Sequence, residues 1–162
     1  MRVSELAVNL PVVDRGMSAL AAAQIIARDS RASIVVADAR GKPEAVISAV
    51  DVLRALVPRY VLGDVSLAAV FDEKGADEVW NEVPVQTIGE LIDDEESRVL
   101  SILEVEPDAT LLDVAAQMAQ ERAVVAVVKG PKTDPPKFVT LPALLDAVLH
   151  IGYRTDQPDL RA

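Results

Sequence analysis

The chain has 162 residues, 51% of them apolar, and carries 26 acidic against 16 basic side chains for a net charge of -10. That length holds one domain or two small halves that share a core, and the negative charge repels nucleic acid and anionic membrane surfaces. The absence of cysteine excludes disulfides, thiolate zinc sites, iron-sulfur clusters and cysteine nucleophiles, and the single histidine, His150, excludes His-rich metal sites and leaves little room for a Ser-His-acid triad.

The opening stretch MRVSELAVNLPVVDRG places acids inside its apolar pieces and is not expected to be a signal peptide. No run approaches the roughly 18 apolar residues that span a bilayer. The expectation is a soluble, cytoplasmic protein with no membrane insertion. No nucleophile-base pair or metal cluster stands out, so no catalysis is expected.

In chain order, an apolar piece at Leu10 to Val13 leads to Ser18, placed to cap an alanine-rich helix that runs to about Arg28. The run Ser33 to Ala37 is short, β-branched and apolar on both faces, the pattern of a strand buried between layers. A polar turn, ARGKPE, leads to a second strand ending at Ser48 and then to the helix DVLRALV. Beyond it, Leu67, Val70 and Phe71, and then Val79, Trp80 and Val83, predict two short amphipathic helical pieces parted near Gly75. They are expected to cover the protein's own core; the alternative is that Phe71 and Trp80 contact a partner chain. The acids Asp93, Asp94, Glu95 and Glu96 are expected to be simply hydrated.

The same order then recurs. Ile102 to Val105 precede Thr110, which is placed to cap a helix to about Arg122; the buried run Val124 to Val128 follows, then the turn KGPKTDPPK, a strand ending at Thr140 and a helix with Pro142 in its first turn. Laid on itself at an offset of 92 residues, the chain matches without a gap over about 50 residues: Ser18 falls on Thr110, Leu20 on Leu112, Ser48 on Thr140 and Leu53 on Leu145. Upstream, VSEL (Val3 to Leu6) matches IGEL (Ile88 to Leu91) at an offset of 85. The expected organisation is a first repeat at 1–62, an acidic helical linker at 63–86, a second repeat at 87–152 and a flexible tail at 153–162.

Two β-α-β-β-α units in tandem resemble a pair of cystathionine-β-synthase (CBS) domains, the Bateman module. The resemblance implies an α/β fold of two repeats packed about a pseudo-twofold axis, a homodimer, and a non-catalytic regulatory role. Its most specific local feature is Ala45-Val46-Ile47-Ser48-Ala49-Val50-Asp51, similar to the family's apolar strand followed by Ser/Thr-x-x-Asp. In the family that pair often holds the ribose and phosphate of an adenosine-containing ligand in the cleft between repeats, such as AMP, ADP, ATP or S-adenosylmethionine. The chemistry suits the part: a carboxylate can accept from both ribose hydroxyls, and a helix N-terminus offers free N–H groups to a phosphate. The same spacing also describes a helix capping box.

By this resemblance the ligand-binding residues are Ser48 and Asp51, Val13 and Ile34 as aliphatic walls for an adenine, and Ser33 and Arg31 before the middle strand. Arg31 stands one or two positions earlier than the family's basic residue. In the second copy Ala143 takes the place of Asp51, so at most one site is expected, on the first-repeat side. Residues 1–70 hold 8 basic and 7 acidic residues, whereas from Asp64 to Glu96 there are 11 acids and one lysine, which also favours the first copy for an anionic ligand. The alternative function is a ligand-free dimeric interaction module that regulates a partner, such as a membrane transporter, through the acidic linker face.

Overall fold

The computed structural model describes residues 1–152; the tail expected at 153–162 lies outside the described residues. The chain forms two compact units that cut across its order, one of Pro11–Leu100 and one of Met1–Leu10 with the chain from Ser101 onward.

In the first of these, β1 (Val12–Asp14) leads to α1 (Ala19–Asp29), β2 (Ser33–Ala37), β3 (Pro43–Ser48) and α2 (Ala49–Leu56). Short helices α3 (Arg59–Gly63), α4 (Glu73–Glu82) and α5 (Ile88–Asp93) follow, with a 3-10 segment at Val65–Val70 between the first two, and then the two-residue strand β4 (Leu100–Ser101). The sheet order is β1-β2-β3-β4, with β1 parallel and β3 antiparallel to β2. Every residue of β2 after Ser33 is buried, as a strand covered on both faces requires. Ser18 caps α1, its hydroxyl accepting from Ala21 N–H at 3.1 Å.

The linker differs from the sequence expectation in two ways. Gly75 lies inside α4, and the break falls before it, because Asp72 caps that helix by accepting from Gly75 N–H at 2.7 Å. Neither the 3-10 segment nor α4 buries a single residue, and Trp80 is 55% exposed. In this chain the linker therefore does not cover the core.

The other unit contains β5 (Leu103–Val105), α6 (Leu111–Glu121), β6 (Val125–Val128), β7 (Lys137–Thr140) and α7 (Leu141–Gly152). Its sheet, β5-β6-β7, repeats the parallel-then-antiparallel pairing of β1, β2 and β3. Phe138 of β7 is the largest of the fully buried side chains.

The matched pieces VSEL and IGEL explain why the units cross the chain order. Val3 is buried with Val105, Val114 and Val139, and its N–H donates to Ala109 O at 3.0 Å. Val8 and Phe138 exchange backbone hydrogen bonds of 2.8 Å in both directions. In the first unit, Ile88 and Leu91 join Val13, Ala22 and Val52, while Ile88 N–H donates to Met17 O and Gly89 N–H to Arg15 O, both at 2.8 Å. Each copy's opening turn thus completes the core of the unit built mainly from the other copy.

Candidate functional site

Ser48 ends β3 and caps α2, and its extended backbone (φ -74°, ψ 154°) turns its hydroxyl back over the first turn of the helix. That hydroxyl accepts from Asp51 N–H at 3.1 Å and donates to Asp51 Oδ2 at 2.9 Å. The other carboxyl oxygen, Oδ1, accepts from the backbone N–H of Arg98 at 3.5 Å. Asp51 is only 5% exposed and is the single buried polar or charged side chain among the described residues. None of their ion pairs includes it. This carboxyl group, enclosed without a cation, is held by the helix N-terminus and two hydrogen bonds.

The other expected residues divide. Ser33 sits directly opposite Ser48 in the β2-β3 ladder, which places two hydroxyl-bearing residues at the same end of the sheet. Val13 and Ile34, 3% and 2% exposed, are committed to the core with Ile47, Val52 and Ile88. Arg31 follows the left-handed cap of α1; its Nε is buried without a hydrogen-bond partner, 3.6 Å from Asp29 Oδ2.

Sequence reasoning missed the segment that approaches Asp51. The acids expected to be merely hydrated are largely ion-paired: Asp93 with Arg15 at 2.8 Å, Asp94 with Arg59 at 3.4 Å and Glu96 with Arg54 at 2.7 Å. The Asp93 hydrogen bond, with Glu44 on the same guanidinium, raises the pKa of Arg15 above its ordinary value. Asp94 folds the segment onto itself, its carboxylate accepting from Glu96 N–H at 3.0 Å and its carbonyl from Ser97 N–H at 3.1 Å. Beside α2 this leaves a cleft of about 330 Å³ lined by Arg54, Arg59, Gln86, Asp94 and Glu96, among others. The only signal in the sequence was the run of acids, which does not say which arginines it meets.

In the second unit the equivalent corner is plainer. Thr140 Oγ1 accepts from Ala143 N–H at 3.4 Å, and Ala143 supplies no carboxylate. Among the described residues no group of three or more His, Asp or Glu side chains is placed to hold a metal, and no helix is long and apolar enough to cross a membrane. What this site offers is hydrogen bonding to hydroxyls and pairing with anions.

A parallel strand joined to an antiparallel pair, occurring twice, with a Ser- or Thr-capped helix after the last strand of each, defines a tandem α/β repeat of the CBS type. The family model for the CBS domain matches residues 3–58. Among solved structures, a CBS domain-containing protein of unknown function from Kribbella flavida is 30% identical, with a TM-score of 0.71 over 91% of this chain and 99% of that one. CBSX2 of Arabidopsis thaliana, solved in complex with AMP, is 17% identical, with a TM-score of 0.60 over 93% of this chain and 97% of that one. The CBS domain of a bacterial CNNM/CorC family Mg2+ transporter is 10% identical, with a TM-score of 0.61 over 92% and 75%. No curated protein matches. The chain belongs to the CBS-domain family and is a tandem CBS pair.

Proposed function

We propose that this CBS pair is a non-catalytic sensor that binds an adenosine-containing ligand in the Pro11–Leu100 unit, at Ser48 and Asp51, with Ser33 and Arg31 at its border. The observation that carries the reading is the burial of Asp51 without a cation. A helix cap needs only the Ser48 hydroxyl, whereas an enclosed carboxyl group at a helix N-terminus is suited to accept from ribose hydroxyls. The buried Nε of Arg31, ion-paired with Asp29 at 3.6 Å but without a hydrogen-bond partner, is a second donor of the kind a phosphate oxygen satisfies. The AMP complex of CBSX2 supports the choice of ligand class. Val13 and Ile34 support the site through the core beneath it rather than as free walls.

The test is calorimetry and thermal shift with AMP, ADP, ATP and S-adenosylmethionine on the wild type, Asp51→Asn and Asp51→Ala. A ligand at 100 times its dissociation constant should stabilise the wild type by about 2.7 kcal/mol. That gain should fall sharply in both variants. A shift that survives Asp51→Ala would remove the site assignment.

A second reading, an interaction module, is favoured by one specific observation. Trp80, Phe71 and Val70 are exposed on a linker rich in acids, which suits a partner segment with apolar and basic residues. The transporter domain among the structural neighbours supports a transport protein as one candidate for that partner. We also propose self-association through α1, α2, α6 and α7, because the repeat-matched leucines Leu20 and Leu112, and Leu53 and Leu145, are all exposed. If no ligand shifts the wild type, the interaction module stands in place of the sensor.

A further inference from the structure

Residues Asp94–Arg98 touch α2 and the first residue of α3 at three places in order. Arg98 N–H reaches Asp51, Glu96 reaches Arg54, and Asp94 reaches Arg59. Asp51 and Arg54 are three residues apart on α2 and so share one of its faces. The segment therefore touches in turn a carboxylate suited to a ribose hydroxyl and two guanidiniums suited to phosphate oxygens.

Its contacts are the ones a ligand can replace. Each guanidinium is held by a carboxylate that a phosphate oxygen can substitute without leaving the cation unpaired. The 3.5 Å hydrogen bond on Asp51 Oδ1 is at the long limit for N–H···O. The Glu96 side chain is 76% exposed and that of Arg59 80%, so these pairs are screened and hold weakly.

We propose that Asp94–Arg98 is an internal strap that occupies a phosphate-binding cleft, and that a nucleoside polyphosphate binds by displacing it. Arg54 and Arg59 exchange Glu96 and Asp94 for phosphate oxygens, and Asp51 exchanges the Arg98 N–H for a ribose hydroxyl. The ribose half rests on the proposed Ser48/Asp51 site; the phosphate half rests on the cleft alone.

The test uses the full chain as wild type, Asp94→Asn/Glu96→Gln and Arg54→Gln/Arg59→Gln, with ATP, adenosine and inorganic pyrophosphate as probes. Affinity is read by calorimetry and the strap by hydrogen exchange at the Arg98 amide. The expected result is faster Arg98 exchange when ATP or pyrophosphate binds. Both should bind about five- to ten-fold more tightly to the Asp94→Asn/Glu96→Gln protein and lose affinity in the arginine variant. Pyrophosphate that opens the strap while adenosine fails to bind would uphold the strap and sink the ribose site. ATP and adenosine that bind with Arg98 exchange unchanged would overturn the strap and leave the ribose site standing. Failure of all three probes to bind would overturn both.

Discussion

Val3 and Ile88 occupy matched positions of the two copies, and each is fully buried in the unit built mainly from the other copy. Each brings a capped turn with it: Arg2 N–H donates to Glu5 at 2.8 Å, and Thr87 N–H to Glu90 at 3.1 Å. Ile88→Ala should cost roughly 2–5 kcal/mol and Val3→Ala about 2 kcal/mol, by lost burial and the cavity left behind. Denaturant unfolding measures both. Costs under about 0.5 kcal/mol would show that these turns merely rest on the units. Removing Met1–Leu10 should weaken protection of the Phe138 amide in hydrogen exchange, because its acceptor is Val8 O.

The two strand-to-helix corners should respond unequally to the same change. Ser48 holds its helix with a 3.1 Å cap and also satisfies Asp51, whereas Thr140 makes a 3.4 Å cap alone. Ser48→Ala should cost about 1–2 kcal/mol, since it removes the cap and strips a partner from a buried carboxyl group. Thr140→Ala should cost at most about 1 kcal/mol. Chemical denaturation of both variants checks the order, and equal losses would mean that the Ser48–Asp51 bond contributes nothing to stability.

The helices after β1 and β5 both end on a non-glycine residue in the left-handed region, Ser30 at φ 50° and Arg122 at φ 54°. The geometry closes a hydrogen bond from Arg31 N–H to Ile26 O at 3.1 Å and one from Ala123 N–H to Met118 O at 2.9 Å. A Cβ disfavours this backbone by about 1 kcal/mol or slightly more, and glycine relieves it at some entropic cost. Ser30→Gly and Arg122→Gly should each stabilise by about 0.5 kcal/mol in thermal melts. Destabilisation by either would show that the side chain itself holds the turn.

Gly89 lies where an added Cβ would meet Arg15 O at 3.1 Å and Arg15 Cβ at 3.3 Å, whereas at Gly63 it would meet nothing within 4 Å. Gly89→Ala should therefore destabilise by roughly 1–3 kcal/mol and loosen the Arg15–Asp93 pair. Gly63→Ala should be neutral within about 0.5 kcal/mol. Melting both proteins side by side decides it, and a neutral Gly89→Ala would show that α5 can shift away from Arg15.

Periodicity and the repeat made most elements legible. The strands at Ser33 and Val125, the Ser18 and Thr110 caps and the Ser48/Asp51 corner all follow from local pattern, because capping and strand burial depend on residues within a few positions of one another. The exposure of the linker was not legible, since amphipathic spacing says that a helix has an apolar face but not what covers it. Nor were the partners of Asp93, Asp94 and Glu96, because long side chains find opposite charges far off in sequence.

From its sequence alone, the protein is a duplicated α/β unit with one carboxylate-bearing corner and one without. Only the tertiary structure decided that each copy lends its opening turn to the other copy's core. It alone showed that the Arg98 N–H reaches the buried Asp51, with Arg54 and Arg59 engaged by Glu96 and Asp94. Local order is written in neighbouring residues, whereas burial and charge pairing depend on which distant segments the completed cores bring within reach.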